Sequence, residues 1–397
     1  MISFNQRTTQ SSSLQEVTRF QSEQANENSH RFACVMTWQR DYEREKEAER
    51  MSFRYIGSKA RIVEAIIDHI GAPDGGVFVD AFSGTGAVAE AASRAGWPVH
   101  VNDHLASSAI MSYARVTSKA DIPFKGLSGY DNAIAALNEA VPVSGFIWRE
   151  YSPASSGHCD VSRMYFTEEN AQKIDGMRQK IRAWRQGDII TPHEERVLIA
   201  DLMRASNRVA NTAGTYGCFL SKWQRQSLDA LVIEPGEYFE TSPHATMSTQ
   251  DVHQVPCAPE DTVYLDPPYT KRQYAAYYHI LETIALGDEP QVEGVCGIRP
   301  WREKASDFCY KVRAAKAIER LISELPARRI FLSYSTEGHV PIKSLSDSLA
   351  GIGELSVHSL QNIGRYRPNK AASKAASDVG ELLFCIEKTK EARRAAA

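Results

Sequence analysis

The residues with the most chemical content are Asp266-Pro267-Pro268-Tyr269, directly behind the apolar run Val263-Tyr264-Leu265. A strand that ends this way brings a carboxylate, a backbone carbonyl and an aromatic ring into one small space. The two prolines fix φ and remove two backbone donors, so the turn is stiff and its carbonyls stay available as acceptors. Such a set can hold a flat heterocycle by its amino group while that amine reacts. The same four residues also suit an ordinary strand-to-loop turn, so they must be weighed with the rest of the chain.

A second group is Asp80-Ala81-Phe82-Ser83-Gly84-Thr85-Gly86, between an expected strand and an expected helix. Glycines there let the backbone approach a ligand closely, with helix N-terminal amides facing it. Seventeen residues past Gly86 lies Asp103, at the end of the next strand, where a carboxylate can bond ribose hydroxyls. Gly84-x-Gly86-x-x-Ala89 followed by such an acid also fits the dinucleotide fingerprint, and a purely structural turn is a further reading. Asp80 at the strand tip separates the ligands. It would repel a pyrophosphate but suits the sulfonium and ammonium of S-adenosylmethionine, with Phe82 as an apolar wall. Electrostatics therefore favours S-adenosylmethionine over NAD.

These residues need elements to position them. Ile62, Ile66, Ile67 and Ile70 recur at helical spacing over residues 60–70. Val77-Phe78-Val79 suits a strand buried on both faces; a small-residue helix over 87–95 and a strand over 99–101 complete a βαβ unit. Further strands are expected at 263–266, 329–334 and 382–387. Between 105 and 245 the alternation breaks, with helices over 170–185 and 194–209. The expected fold is α/β: a doubly wound, Rossmann-like sheet from 51–104 and 246–390, interrupted by an inserted, mainly helical domain at 105–245. Residues 1–50 are rich in Gln, Ser, Glu and Asn and read as a disordered or peripheral extension, with Met51 as an alternative start and 391–397 as a tail.

Composition narrows the class. The chain has 397 residues, 43% apolar and 24% charged, with a net charge of −3, ordinary values for a globular protein with a sizeable core. No apolar run approaches the roughly 18 residues that span a bilayer. The seven cysteines include no C-x-x-C pair and the eleven histidines no H-E-x-x-H, which points to a soluble protein of a reducing compartment and to chemistry without a metal.

With these residues in hand, the chain resembles the Dam-type family of DNA adenine methyltransferases over roughly residues 53–387. Arg54-Tyr55-Ile56-Gly57-Ser58-Lys59 looks like the family's opening motif, which helps bind the methionine part of the cofactor; Asp80 to Gly86 matches the cofactor loop and Asn102-Asp103 the acid after the second strand. Asp251 is similar to the aspartate that bonds the cofactor's adenine, and Asp266 to Tyr269 is the catalytic tetrapeptide. The late strand Ile330 to Tyr334 and the loop before Glu381-Leu382-Leu383-Phe384 look like the last two motifs. The inserted segment has family character in Tyr165-Phe166-Thr167-Glu168-Glu169-Asn170 and in Asn211-Thr212-Ala213-Gly214. Cofactor loop, insertion, then catalytic motif is the family's α arrangement.

The resemblance implies a methyl group moved from S-adenosylmethionine to the exocyclic amine of adenine, without a metal. It implies Asp266, Pro267, Pro268 and Tyr269 as the catalytic set. Tyr55, Lys59, Asp80, Phe82, Ser83, Gly84, Gly86, Asp103 and Asp251 would bind the cofactor. By accepting both amine hydrogens, Asp266 and the Pro267 carbonyl would favour the pyramidal nitrogen. Tyr269 would stack on a flipped base, offsetting part of the few kcal/mol that flipping costs. Asp rather than Ser or Asn at the first position favours DNA adenine over cytosine, RNA or protein glutamine; methylation of cytosine in DNA or of adenine in RNA is the enzymatic alternative, and a catalytically silent DNA-binding relative is the other.

Two windows carry basic residues and no acid: 202–228, with Arg208, Asn211, Tyr216 and Lys222, and 355–377, with Arg365, Arg367 and Lys370. Such mixtures suit phosphate contacts and base reading on double-stranded DNA, and Lys271-Arg272 could hold a phosphate beside the flipped nucleotide. A solvated face is the plainer account of each window. Tyr274, Tyr277 and Tyr278, on an expected helix, read as core packing rather than a base platform, and His279 as structural or exposed. The expected protein is a cytoplasmic monomer of bacterial or phage origin, linked functionally but not physically to a cognate restriction endonuclease.

Overall fold

The computed structural model describes residues 59–363 and 379–389. The expectations for 1–50, Met51, Tyr55, Arg365, Arg367, Lys370 and the tail lie outside these residues.

Seven strands form one sheet: β1 (Phe78–Asp80), β2 (Val99–Asn102), β3 (Ala245–Ser248), β4 (Thr262–Leu265), β5 (Arg329–Ser335), β6 (Gly353–Ile363) and β7 (Val379–Lys388), in the order β3-β2-β1-β4-β5-β7-β6. The five strands from β3 to β5 pair in parallel, and β7 is antiparallel to both β5 and β6. From β1 the chain runs outward through β2 and β3, then returns to β4 on the other side. Between β1 and β4 the order reverses, and in open α/β sheets ligands bind outside the carboxyl ends of the strands at such a point. Asp80 ends β1, and Asp266 follows β4.

The helices are α1 (Val63–Ile70), α2 (Ala87–Arg94), α3 (Ala106–Val116), α4 (Tyr130–Asn138), α5 (Phe146–Tyr151), α6 (Glu168–Gln186), α7 (Pro192–Arg208), α8 (Tyr274–Tyr277), α9 (His279–Leu286), α10 (Ala314–Glu324) and α11 (Ile342–Leu349). Because the central strands are covered on both sides, successive residues feed opposite cores. Phe78 and Tyr264 pack with Ile66, Ile70 and Trp97 on one face. Val79, Val263 and Leu265 pack with Ile318, Leu321 and Ile322 on the other. The α/β sheet expected from the apolar runs is therefore present, and so are the expected helices, within a few residues at their ends.

Two strands were not anticipated. β3 (Ala-Thr-Met-Ser) is a short, partly exposed edge strand with one strongly apolar residue, too weak a pattern to stand out. β6, at the other edge, exposes Ser356, Val357 and Ser359. The second basic window thus begins in an edge strand at Leu355 rather than in a loop.

Helix α3, at the start of the 105–245 segment, is almost wholly buried and packs on β2, β3 and α2 as well as on α7 and α9. Its free N-terminal amides need a partner. Glu282 of α9 supplies one, accepting from Ala106 N at 3.1 Å and from Ser107 N and Oγ at 2.9 Å. The positive end of a helix dipole suits a buried carboxylate.

Gly86, with φ of +81°, caps α2, and a Cβ there would lie 2.7 Å from Ser112 Cα of α3. Gly294 also has positive φ (+71°) but faces open space. Gly86→Ala is expected to cost about 2 kcal/mol or more, left-handed strain of about 1–2 kcal/mol plus overpacking; Gly294→Ala should show the strain alone. Urea unfolding of both variants checks this. Equal losses would show that the approach of α3 does not fix residue 86 as glycine.

Candidate active site

A cleft of about 590 Å³ opens at the carboxyl ends of β1 and β4, within the size range of small-molecule sites. Lys59, Asp80, Phe82, Ser83, Gly84, Asp103, Asp251, Asp266, Pro267, Pro268 and Tyr269 all line it. Separate sequence motifs thus meet in one cavity.

On one side the glycine loop is shaped by β2. Ser83 N donates to Asn102 O at 2.9 Å, and Gly84 N donates to Asp103 Oδ2 at 3.0 Å. The other oxygen of Asp103 accepts from Leu105 N at 2.9 Å. Asp103 therefore braces the loop as well as facing the cleft, a second duty the spacing alone did not disclose. Buried Asn102 joins Ala81 O, Gln250 and Ser248, so β1, β2 and the turn before Asp251 move together. Asp251 itself is exposed at the rim and accepts from His253 N at 3.0 Å, starting a single helical turn.

The floor of the cleft is rich in buried acids. Asp80 is 1% exposed, and its Oδ1 has no hydrogen-bond partner among the described residues. Burial, then the charges of Asp266 and Asp103, push its carboxyl well above the usual range. Burial likewise pushes Asp103 up to about 6, against its two backbone hydrogen bonds. Asp266 is also raised to about 6: burial lifts it, Lys59 pulls it back, and Glu381 lifts it again.

Lys59 is 5% exposed, with Nζ 3.0 Å from Asp266 Oδ1 and 2.7 Å from Glu381 Oε1. Burial works against its charge, but the two carboxylates outweigh it and hold the ammonium well above its ordinary range. Glu381, on β7, also accepts from Ser333 Oγ of β5 at 2.9 Å. The motif position that the resemblance gives to the methionine part of the cofactor is here engaged directly with the acid of the catalytic turn.

Tyr269 is held from behind. Its ring meets Tyr334 at 5.9 Å and 66°, its carbonyl accepts from His339 N at 3.0 Å, and Lys59 Nζ lies 5.4 Å from the ring centroid. A rigid ring beside a charged acceptor can grip a heterocycle without ordering it at the moment of reaction.

Sequence reasoning missed four contributors. Phe308 meets Phe82 edge-on at 5.4 Å and 89°, Lys304 bonds His104 O at 2.9 Å and Glu282 at 2.8 Å, and Gln273 precedes α8. All three sit in loops or at a helix edge, where periodicity carries no signal. Glu381 was findable, because an acid within the apolar run of β7 must have a buried partner. Of the tyrosines read as core, Tyr278 is buried, whereas Tyr274 lines the cleft. His279 is structural: fully buried, it bonds Tyr216 O at 2.9 Å through Nε2, and burial depresses it to about 3.

The residues expected to meet DNA divide. Lys222, Lys271 and Arg272 are exposed, the last two just past Tyr269. Arg208 is partly exposed and paired with Glu234. Asn211 and Tyr216 are corrected: both are buried. Asn211 ties Met164 O, Leu220 O and Gln224 N together, each at 3.0 Å, and the Tyr216 hydroxyl donates to Asn207 Oδ1 at 3.0 Å. They shape the loop that carries Lys222, since amide and phenol groups without solvent must bond within the protein.

The chain matches the family model described as D12 class N6 adenine-specific DNA methyltransferase over residues 55–344. It is 31% identical over 347 residues to Modification methylase StsI of Streptococcus sanguinis and 32% identical over 345 residues to Type II methyltransferase M.FokI of Planomicrobium okeanokoites, in each case 84% of this chain and 52% of the relative. The chain thus spans about half the length of these relatives. It is also 29% identical to Type II methyltransferase M.NlaIII of Neisseria lactamica, over 84% of this chain and 99% of that protein. With the glycine loop and the Asp-Pro-Pro-Tyr turn converging on one cleft, the chain belongs to the D12 class N6 adenine-specific DNA methyltransferase family.

Proposed function

We propose that this protein methylates the exocyclic amine of adenine at a specific site in double-stranded DNA, with S-adenosylmethionine as donor and the target base flipped out of the duplex. The observation that carries this reading is the placement of Asp80 and Asp266 at the ends of β1 and β4, in one cleft with Tyr269. The cleft fits the cofactor. The Oδ1 of Asp80, without a partner among the described residues, and its acid neighbours call for a cation, and Phe82 with Phe308 provides an apolar wall. Asp80, Asp103 and Asp251 would hold the ammonium, ribose and adenine ends, along the backbone of Ser83, Gly84 and Gly86. When bound, S-adenosylmethionine supplies an electrophilic methyl group on a sulfonium sulfur.

The chain's own residues do the rest. Asp266, ionised, and the Pro267 carbonyl accept the two amine hydrogens of adenine, which turns the nitrogen lone pair out of the ring. Tyr269 stacks on the base, worth about 1–3 kcal/mol, and offsets part of the flipping cost. Lys59 keeps Asp266 ionised and correctly turned. Lys222, Lys271 and Arg272 would contact phosphates, and Arg208 could do so on leaving Glu234. We place the enzyme in the cytoplasm as a monomer paired in function with a cognate endonuclease.

Three outcomes test this reading. Labelled methyl groups should pass from S-adenosylmethionine to unmethylated plasmid and appear as methyladenine, with a loss on the order of 10²-fold or more in Asp266→Ala, the scale for removing one preorganised contact to the reacting group. Nucleoside analysis and site mapping read the result; label in methylcytosine, or in RNA alone, would replace the substrate proposed.

A second outcome is pH dependence. Asp266 titrates near 6 in the free protein, so kcat/KM should fall about tenfold per pH unit below 6, as the acceptor oxygens gain a proton. Lys59→Met removes the charge that pulls Asp266 down, so the acid limb should move to higher pH. An unmoved limb in that variant would assign the titration to another group.

Asp80 gives the third. Its folded pKa lies above the unfolded one, so its contribution to stability is fully present below the unfolded pKa and is lost as pH rises through the folded value. Asp80→Asn should therefore raise the melting temperature of the ligand-free protein at pH 7.5. It should also weaken S-adenosylmethionine about 10–100-fold, the loss of one charged hydrogen bond. Calorimetry and a melting curve on the same variant check both, and a fall in both melting temperature and affinity would mark Asp80 as merely structural.

A further inference from the structure

The segment from Trp301 to Cys309 touches both halves of the cleft, and beyond the Phe308 wall its contacts are not used by the methyl-transfer reading. At the cofactor side, Phe308, 5% exposed, stands edge-on to Phe82 of the glycine loop. Lys304 bonds the carbonyl of His104, next to Asp103, and the carboxylate of Glu282 that caps α3. At the catalytic side the same segment is bonded in both directions to one side chain. Ser306 N donates to Gln273 Oε1 at 2.9 Å, and Gln273 Nε2 donates to Ser306 O at 3.3 Å. Cys309 Sγ adds a contact to Arg272 O at 3.2 Å. Gln273, itself buried, is the residue from which α8 starts, four positions past Tyr269.

We infer that residues 301–309 form a strap that couples the two ends of the cleft, and that Gln273 is the positioning residue through which a ligand against Phe82 and Phe308 orders the catalytic turn. The inference rests on the proposed function and adds a regulation of that site. The physical reason lies in the size of the strap. Phe308 sits in a single helical turn, Asp307–Cys309; Ser306, just before the turn, and Cys309, its last residue, are both bonded to the segment after Tyr269. A shift of the Phe308 ring cannot be absorbed within so few residues, so it is passed to Gln273 and Arg272. Interiors that are close-packed respond by such discrete shifts rather than by smooth deformation. Without a ligand at Phe308 the Tyr269 ring and carbonyl keep their contacts with Tyr334 and the His339 amide, but the strap side of the turn, at Arg272 and Gln273, is not set. With a ligand there, the base-binding side is set, and by reciprocity a bound base tightens the cofactor side by the same factor.

The test is a binding cycle on the full chain. S-adenosylhomocysteine, which occupies the cofactor side without reacting, is titrated by calorimetry into free protein and into protein saturated with a duplex carrying the mapped target site. The ratio of the two Kd values is the coupling factor, expected to lie within the usual range of about 5–150-fold. Gln273→Ala should bring that ratio close to 1, whatever it does to either Kd alone, and Gln273→Glu, which keeps the acceptor for Ser306 N–H but loses the donor, should give an intermediate value. A structural role for Gln273 would weaken both ligands and leave the ratio as in wild type, which would overturn the strap, as would a wild-type ratio of 1. Should Gln273→Ala fail to fold, Gln273→Glu and Phe308→Leu carry the same comparison, the latter removing the ring at the other end. Wild-type protein that binds neither ligand would overturn the functional reading as well; one that binds both with a ratio unmoved by these variants overturns the strap alone.

Discussion

Everything in the cleft depends on burying four carboxylates, Asp80, Asp103, Asp266 and Glu381, of which Lys59 pairs with the last two. Taken alone, each buried acid disfavours its own charge. Together they leave an excess of negative potential that one lysine does not neutralise. That excess is unfavourable for the free protein and favourable for a cationic ligand, so the site stores part of its recognition as unrelieved repulsion. The sheet makes the arrangement possible. Parallel strands that reverse order between β1 and β4 bring two carboxyl-terminal ends side by side, and β7 lays Glu381 opposite Ser335 of β5.

The layout also divides labour along the cleft. Asp103 and Asn102 spend their polar atoms mainly on the backbone of the glycine loop and its neighbours, which fixes the shape of the cofactor side. Asp80 keeps one oxygen without a hydrogen-bond partner among the described residues. On the catalytic side, Tyr334 and the His339 amide lock the tyrosine, while Lys59 locks the acid. Strand ends bear Asp80 and Asp266, and loops bear the exposed cations Lys222, Lys271 and Arg272, an arrangement common where a scaffold must be stiff and its partner is bulky.

Much of this was legible in the sequence. Short apolar runs gave β1, β2, β4 and β5 because strands covered on both faces are mostly apolar. Acids placed at strand ends, such as Asp80 and Asp266, stood out against those runs. What stayed hidden has two causes. β3 and β6 lie at the sheet edges, where solvent relaxes the pattern. Phe308, Lys304 and Gln273 act through tertiary contacts from irregular segments, which no local periodicity encodes. Asn211 and Tyr216 failed for a third reason: amide and phenol groups in a basic window can as well close a loop from within as face a partner, and only burial tells the two apart.

The pairing of Lys59 with Glu381 has a bearing on how the protein is made. These residues are 322 positions apart, and a chain leaves the ribosome from its N-terminus, with domains tending to form in that order. A nascent chain that has emerged only to residue 380 holds the glycine loop and the Asp-Pro-Pro-Tyr turn, but β7 is unfinished and Lys59 lacks one of its two anions. The cation pocket closes last. Assembly of the chemistry is thereby tied to completion of the sheet, and interrupted products keep the Lys59–Asp266 pair but lack its second anion, Glu381.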